Sequence, residues 1–208
     1  MRALIIETVI LMQLLQLSTV LSCCDIANWW DSFNLAGLSE CLRDRTYIKG
    51  LWRNEQRDTQ NLFLIEEAKC CDAVIQDYTW KSSSCQNANW RYTLDGINVW
   101  AKCPRGYFLR GFTISMAVGL SHIEEAKCCH PQTHPNEYGD CYEEDVSISF
   151  DNKGWSECKR QGYYMAGFYK GTCDGINCIE KFYCCQMKHY GNTIIGKRSA
   201  RFRKIFNL

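Results

Sequence analysis

Ile123-Glu124-Glu125-Ala126-Lys127-Cys128-Cys129 has an almost identical forerunner in Ile65-Glu66-Glu67-Ala68-Lys69-Cys70-Cys71, and a looser copy in Ile179-Glu180-Lys181-Phe182-Tyr183-Cys184-Cys185. Three copies of one phrase, each closing on adjacent cysteines, make a tandem repeat, and nothing else in the chain restricts its fold as strongly. Upstream of each doublet stands one cysteine (Cys41, Cys103, Cys158), and further upstream another (Cys24, Cys85, Cys141), the two separated by 17, 18 and 17 positions. Every repeat thus carries four cysteines. Cys173 and Cys178 form an extra close pair in the third repeat, and Cys23 is left over.

The segments between these landmarks read as strands. They are short, aromatic and β-branched, and turn residues divide them. Val146-Ser147-Ile148-Ser149-Phe150 alternates as a half-buried strand does. Asp95-Gly96, Asp151-Asn152 and the stretch from Asn34 to Gly37 carry turn chemistry, after which the chain re-enters extended structure toward the middle cysteine. Gly50, Gly111 and Gly167 each interrupt an apolar run, which predicts a bulge or a close backbone approach. The Ile-Glu phrase is read as a strand rather than a helix. A pleat sends adjacent cysteines to opposite faces, so one bridge would staple within the repeat and the other reach a neighbour. Cys41, Cys103 and Cys158 are each expected to pair with one member of the following doublet, and the repeat-start cysteines with the other. Each repeat is too small to be secure alone. The expected architecture is therefore all-β: three tandem Cys-rich β-hairpin repeats (about 24–84, 85–140 and 141–190), disulfide-stapled and packed with pseudo-threefold symmetry in one domain over 23–190.

Fifteen cysteines in 208 residues mean a disulfide scaffold or a metal protein. There is no C-x-x-C pair, and His122, His130, His134 and His189 lack metal-ligand spacing, so disulfides are favoured and neither a metal nor a cofactor is expected. Arg2, an aliphatic run to Leu17, and Val20 and Ser22 at a cleavage-like site predict a signal peptide over 1–22 and a secreted, extracellular product. The net charge of +1 hides a basic tail over 191–208, with Lys197, Arg198, Arg201, Arg203 and Lys204, on an acidic body. A broad basic face is missing, so nucleic-acid binding is not expected. The tail reads as a disordered terminus, a dibasic processing site, or an anchor to an anionic membrane or acidic matrix. Cys23 offers a disulfide-linked dimer.

Chemistry-bearing patterns are sparse. Glu66/Glu67 and Glu124/Glu125 are neighbours on strands, facing opposite ways, so they cannot converge on one bond. No nucleophile elbow, zinc-protease motif or phosphate loop is present. An enzyme is not expected. Glu143-Glu144-Asp145 lacks the spaced ligands of a calcium loop and reads as a solvated corner. Trp100 and Trp155, at matching positions, are assigned to the core. The variable stretches are the three connections Leu51 to Leu64, Phe112 to His122 and Phe168 to Cys178, which are expected at one end of the molecule. Loops on a rigid frame carry binding residues. The candidates are Trp52, Arg53 and Arg57 in the first connection, Met116 in the second, and Tyr169, Asp174 and Asn177 in the third; the same stretches also fit ordinary hairpin tips.

The arrangement of Trp155, Cys158, the Gly162–Phe168 run and Phe182-Tyr183-Cys184-Cys185 resembles the repeat of the dermatopontin and amebocyte-aggregation-factor family. That family's Asp-Arg-x-Trp phrase is replaced here by Ile-Glu-Glu-Ala. The triple Cys-rich β repeat is also similar to the C-terminal module of invertebrate perforin-like pore formers, without a pore-forming segment, and to secreted invertebrate gland proteins. These resemblances imply an extracellular binding protein for a glycan or matrix protein. The alternatives are a membrane-targeting or membrane-active secreted protein, and a structural or developmentally regulated gland product.

Overall fold

The structure, a computed structural model, describes residues 23–55, 60–73, 78 and 81–189. The segment expected to be a signal peptide, 1–22, and the basic tail, 191–208, lie outside them. The first repeat supplies β1 (Cys24–Asn28), β2 (Gly37–Glu40), β3 (Thr46–Arg53) and β4 (Ile65–Asp72). The second supplies β5 (Ser83–Asn89), β6 (Val99–Lys102), β7 (Phe108–Ile114) and β8 (Ile123–Pro131). The third supplies β9 (Tyr138–Asp145), β10 (Gly154–Glu157), β11 (Tyr163–Lys170) and β12 (Ile179–Met187). The Ile-Glu phrase is a strand in all three copies. One helical turn, α1 (Arg91–Leu94), precedes β6.

The strands form three four-stranded antiparallel sheets, β1-β4-β3-β10, β5-β8-β7-β2 and β9-β12-β11-β6. Each repeat keeps three of its strands and gives away the short one. β2 joins the second repeat on β7, β6 joins the third on β11, and β10 returns to the first on β3. The donation therefore closes on itself.

The three matching glycines make room for it. Pairing between the two central strands skips one residue at Ile48/Gly50, Leu109/Gly111 and Met165/Gly167, so each site is a bulge. A Cβ on Gly50 would stand 2.5 Å from the Glu157 Cβ; on Gly111 or Gly167 it would overlap the carbonyl oxygen of Ser39 or Ala101 in the incoming strand. The skipped residues Arg110, Ala166 and Lys49 turn their carbonyls to the incoming chain, where Cys41, Cys103 and Cys158 donate N–H at 2.9, 2.8 and 2.9 Å. Bulge and close approach are thus one device, repeated three times.

Seven disulfides hold this frame. Cys24–Cys71, Cys85–Cys129 and Cys141–Cys185 join directly opposed residues of β1/β4, β5/β8 and β9/β12. Cys41–Cys70, Cys103–Cys128 and Cys158–Cys184 take the other doublet member, and Cys173–Cys178 closes the small ring. The expectation that one bridge reaches a neighbouring repeat is corrected: all seven stay within their repeat. The middle cysteine follows the donated strand, however, so its bridge ties that strand back to the sheet it left. Cys23 is exposed and the one free cysteine among the described residues.

Tyr47, Phe108 and Tyr164 occupy equivalent positions where β3, β7 and β11 begin, and their rings meet edge to face at 5.8, 5.7 and 5.8 Å. A larger cluster contains Trp29, Phe33, Trp90, Phe112 and Phe168. Trp100 and Trp155 are corrected from core to half-buried: Trp100 leans on Tyr169 and Tyr183, and Trp155 pairs with Trp52. The strand expected over 146–150 is a turn. Asp145 accepts from the Ser147 N–H and hydroxyl, the Phe150 N–H donates to the Val146 carbonyl, and both apolar ends are buried four residues apart.

Beside the three rings, His134 packs between Tyr78, Phe108 and His130 and accepts the Lys188 N–H at 2.9 Å. Burial first, and then the neighbouring His130, lower its pKa from 6.5 to about 4. The unfolded chain therefore binds more protons than the folded one between these values, and stability falls as pH drops from about 6.5 toward 4. Calorimetric melts over that range should show a loss that is smaller by about 1–3 kcal/mol in a His134→Asn variant, the remainder coming from His130, whose pKa burial also lowers, and from bonded carboxylates. Parallel pH profiles for the two proteins would refute the assignment.

Candidate functional site

The three variable connections leave the ends of β3, β7 and β11 and meet, as expected, at one end of the molecule. The Leu62 N–H donates to the Val118 carbonyl (3.1 Å), the Leu120 N–H to the Asp174 carbonyl (2.7 Å) and the Ile176 N–H to the Gln60 carbonyl (2.7 Å). First joins second, second joins third, and third joins first. Each donor opens a 3-10 turn (Leu62–Leu64, Leu120–His122, Ile176–Cys178) that feeds the next strand.

Several sequence candidates serve this ring rather than face outward. Arg53 is only 4 % exposed; its guanidinium donates to the Phe150 carbonyl (2.6 Å) and to Gln60 Oε1 (2.8 Å). At the matching end of β11, Lys170 donates to the Leu94 carbonyl and pairs with Asp174 at 2.7 Å. Asp174 also accepts from the Ser121 N–H and hydroxyl. Partial burial opposes its ionisation, but the bonds from Lys170 and Ser121 prevail and hold its carboxyl below the usual range. Asn177 is half-buried inside the Cys173–Cys178 ring. Trp52 and Tyr169 are strand residues below the ring, facing Trp155 and Trp100 across the exchanged pairs. Met116 stands out from it, 52 % exposed, and Asp174 is exposed as well while bonded within the ring. Arg57 lies outside the described residues.

Apart from Met116, sequence reading missed the apolar residues that face solvent here. Trp30 is 52 % exposed and, with Asn34, Phe63, Leu64 and Glu66, lines a concavity of about 330 Å3. The Trp29-Trp30 doublet carried the signal. Asn28 accepts the Trp30 N–H, which turns the chain so that Trp29 enters the core and Trp30 points away. Glu66 at the concavity's floor accepts from Asn54 at 2.7 Å. The second repeat has Arg91 in place of Trp30, and it pairs with Glu124 at 3.2 Å; the third has Ser147. The first repeat alone therefore offers an exposed indole above a carboxylate and an amide. Leu35, Tyr92, Ile97, Met116, Val118 and Ile148 are exposed on the turns and connections at this same end.

The acids of the Glu143–Asp145 corner are engaged elsewhere. Glu143 pairs with Lys181, and Glu144 with Lys159 and the Tyr142 hydroxyl. Among the described residues no group of three or more His, Cys, Asp or Glu is placed to hold a metal ion, and no helix is long and apolar enough to cross a membrane. No family model, curated protein or solved structure matches the chain.

Proposed function

We propose that this chain is a secreted, non-enzymatic binding protein that takes a glycan or an extracellular-matrix partner on the end closed by the three connections. Its repeats are packed with pseudo-threefold symmetry, a reading supported by the cyclic strand donation and the ring of backbone bonds. Seven disulfides favour an oxidising compartment. The observation that carries the proposal is the Trp30 concavity. An indole face stacks on the apolar side of a sugar ring while the Asn34 amide and Glu66 carboxylate address its hydroxyls. The frame beneath is held by disulfides and the ring, so little ordering accompanies binding.

One observation favours a second reading. Leu35, Ile97, Met116, Val118 and Ile148 project from the same end, as they would from a protein that rests on a membrane surface. A glycan array, a matrix pull-down and flotation with anionic liposomes, run side by side on oxidised protein, separate the two. The expected result is glycan or matrix capture that falls at least about tenfold in Trp30→Ala, since a central aromatic anchor dominates such contacts. Flotation without capture, abolished in a Met116→Ser/Val118→Ser variant, replaces the first reading by the second. Blank results in all three remove both.

A further inference from the structure

Where each donated strand ends, its last residue meets the one before a cysteine doublet in the sheet it joins. Two of these three meetings are ionic: Glu40 with Lys127 at 2.8 Å and Glu157 with Lys69 at 2.7 Å. At the third the charges are rearranged. Lys102 meets Tyr183, its Nζ lying 3.7 Å from the centre of that ring and 4.3 Å from that of Trp100. It forms no ion pair among the described residues. The acids nearby have cations of their own: Glu143 pairs with Lys181 (2.9 Å), Glu137 with Lys188 (3.7 Å) and Asp140 with Arg160 (3.6 Å). Burial lowers the Lys102 pKa, opposed only by Glu143.

Arg105 stands beside Lys102, exposed and likewise without an ion pair among the described residues. The two cations line one concavity of about 500 Å3, with Tyr138, Gly139 and Tyr183 among its walls and no carboxylate. Tyr138 is fixed, because its hydroxyl donates to the Tyr107 carbonyl at 2.8 Å. Two cations with no carboxylate partner among the described residues, beside an aromatic wall fixed at Tyr138, suit a negative group carried on a ring.

We propose that this concavity binds an acidic saccharide, its carboxylate or sulfate ester set between Lys102 Nζ and the Arg105 guanidinium, its apolar ring face against Tyr138 and Tyr183. The site is separate from the Trp30 concavity and does not depend on it.

Titration calorimetry of the intact, oxidised protein provides the test, with three probes: a sulfated uronic-acid disaccharide, the same disaccharide unsulfated, and a neutral analogue. At least one charged probe is expected to bind, more weakly as salt rises. Lys102→Gln and Arg105→Gln should each weaken it at least about tenfold, as loss of a charge-assisted contact does. Lys102→Arg should restore most of the binding, and Lys127→Gln, at the matching place in the second sheet, should leave it unchanged. Binding of both charged probes shows that the carboxylate suffices; binding of the sulfated one alone assigns the site to a sulfate ester. Equal binding of the neutral analogue, no binding of either charged probe, or wild-type affinity in both glutamine variants at unchanged melting temperature would overturn the proposal. Trp30→Ala keeps this binding whichever way the ring-end experiment falls.

Discussion

Replacing Cys103 and Cys128 together by alanine is expected to lower the unfolding free energy by about 3–4 kcal/mol, against about 2 kcal/mol for the Cys173–Cys178 pair. The first bridge spans 25 residues and the second only 5, so the first restricts the unfolded chain far more. The Cys103–Cys128 bridge has a second task. It ends at the strand β6, which is hydrogen-bonded to β11 of the third repeat, while Cys128 belongs to β8 of the second. Without it, β6 is held to the third sheet by four residues of pairing and the flanking N–H bonds of Asn98 and Cys103 to the Gly171 and Ala166 carbonyls. Hydrogen exchange should therefore accelerate along β6 and the facing edge of β11, but not along β9. Urea melts that rank the two bridges equally would refute the loop-length argument, and an exchange pattern unchanged on β11 would show that the bridge acts on the unfolded chain only.

Gly111→Val is expected to destabilise by about 3 kcal/mol or more, the upper range for forcing atoms into a packed site. Its Cβ would overlap the Ser39 carbonyl oxygen, which belongs to the backbone of β2 and cannot swing aside. The strand must move away as a whole and lose its pairing with β7. A charge change at the same seam gives the contrast. Glu40→Gln removes pairs to Lys127 and Arg110 made by a buried carboxylate oxygen on a partly exposed side chain, and about 1–2 kcal/mol is expected. Chemical denaturation of the two variants decides whether shape or charge holds the donated strand. A Gly111→Val protein as stable as wild type would mean that β2 is not seated there.

Most of the frame was legible in the cysteine spacing. A doublet on a strand has one sulfur on each face, which made one partner upstream in the middle of the repeat and one at its start. Strand donation was not legible, because the copies are so alike. A short segment such as Ser39-Glu40 would satisfy its own repeat's central strand as well as its neighbour's, and only three-dimensional closure selects the neighbour. The glycines announced a close approach without naming what approaches. Alternation misled at 146–150, where Val146 and Phe150 are both buried whether the segment is a strand or a turn, and Asp145 decides for the turn. Arg53 looked like a surface charge because sequence shows no carbonyl aimed at it; Phe150 supplies one from almost a hundred positions away.

The closed donation also sets an order of assembly. As the chain emerges from its amino end, β3 has only β4 to pair with, and its other edge stays bare until Gly154–Glu157 arrives. An open strand edge invites pairing with foreign chains. The earliest sheet to be begun is thus finished only after the second one is complete, and a ribosome halted anywhere in the second repeat would leave a sticky, half-zipped product. Unlike an open array, which lengthens or shortens one unit at a time, this one admits no other copy number: deleting or adding a repeat leaves a donor without an acceptor unless the circle is redrawn.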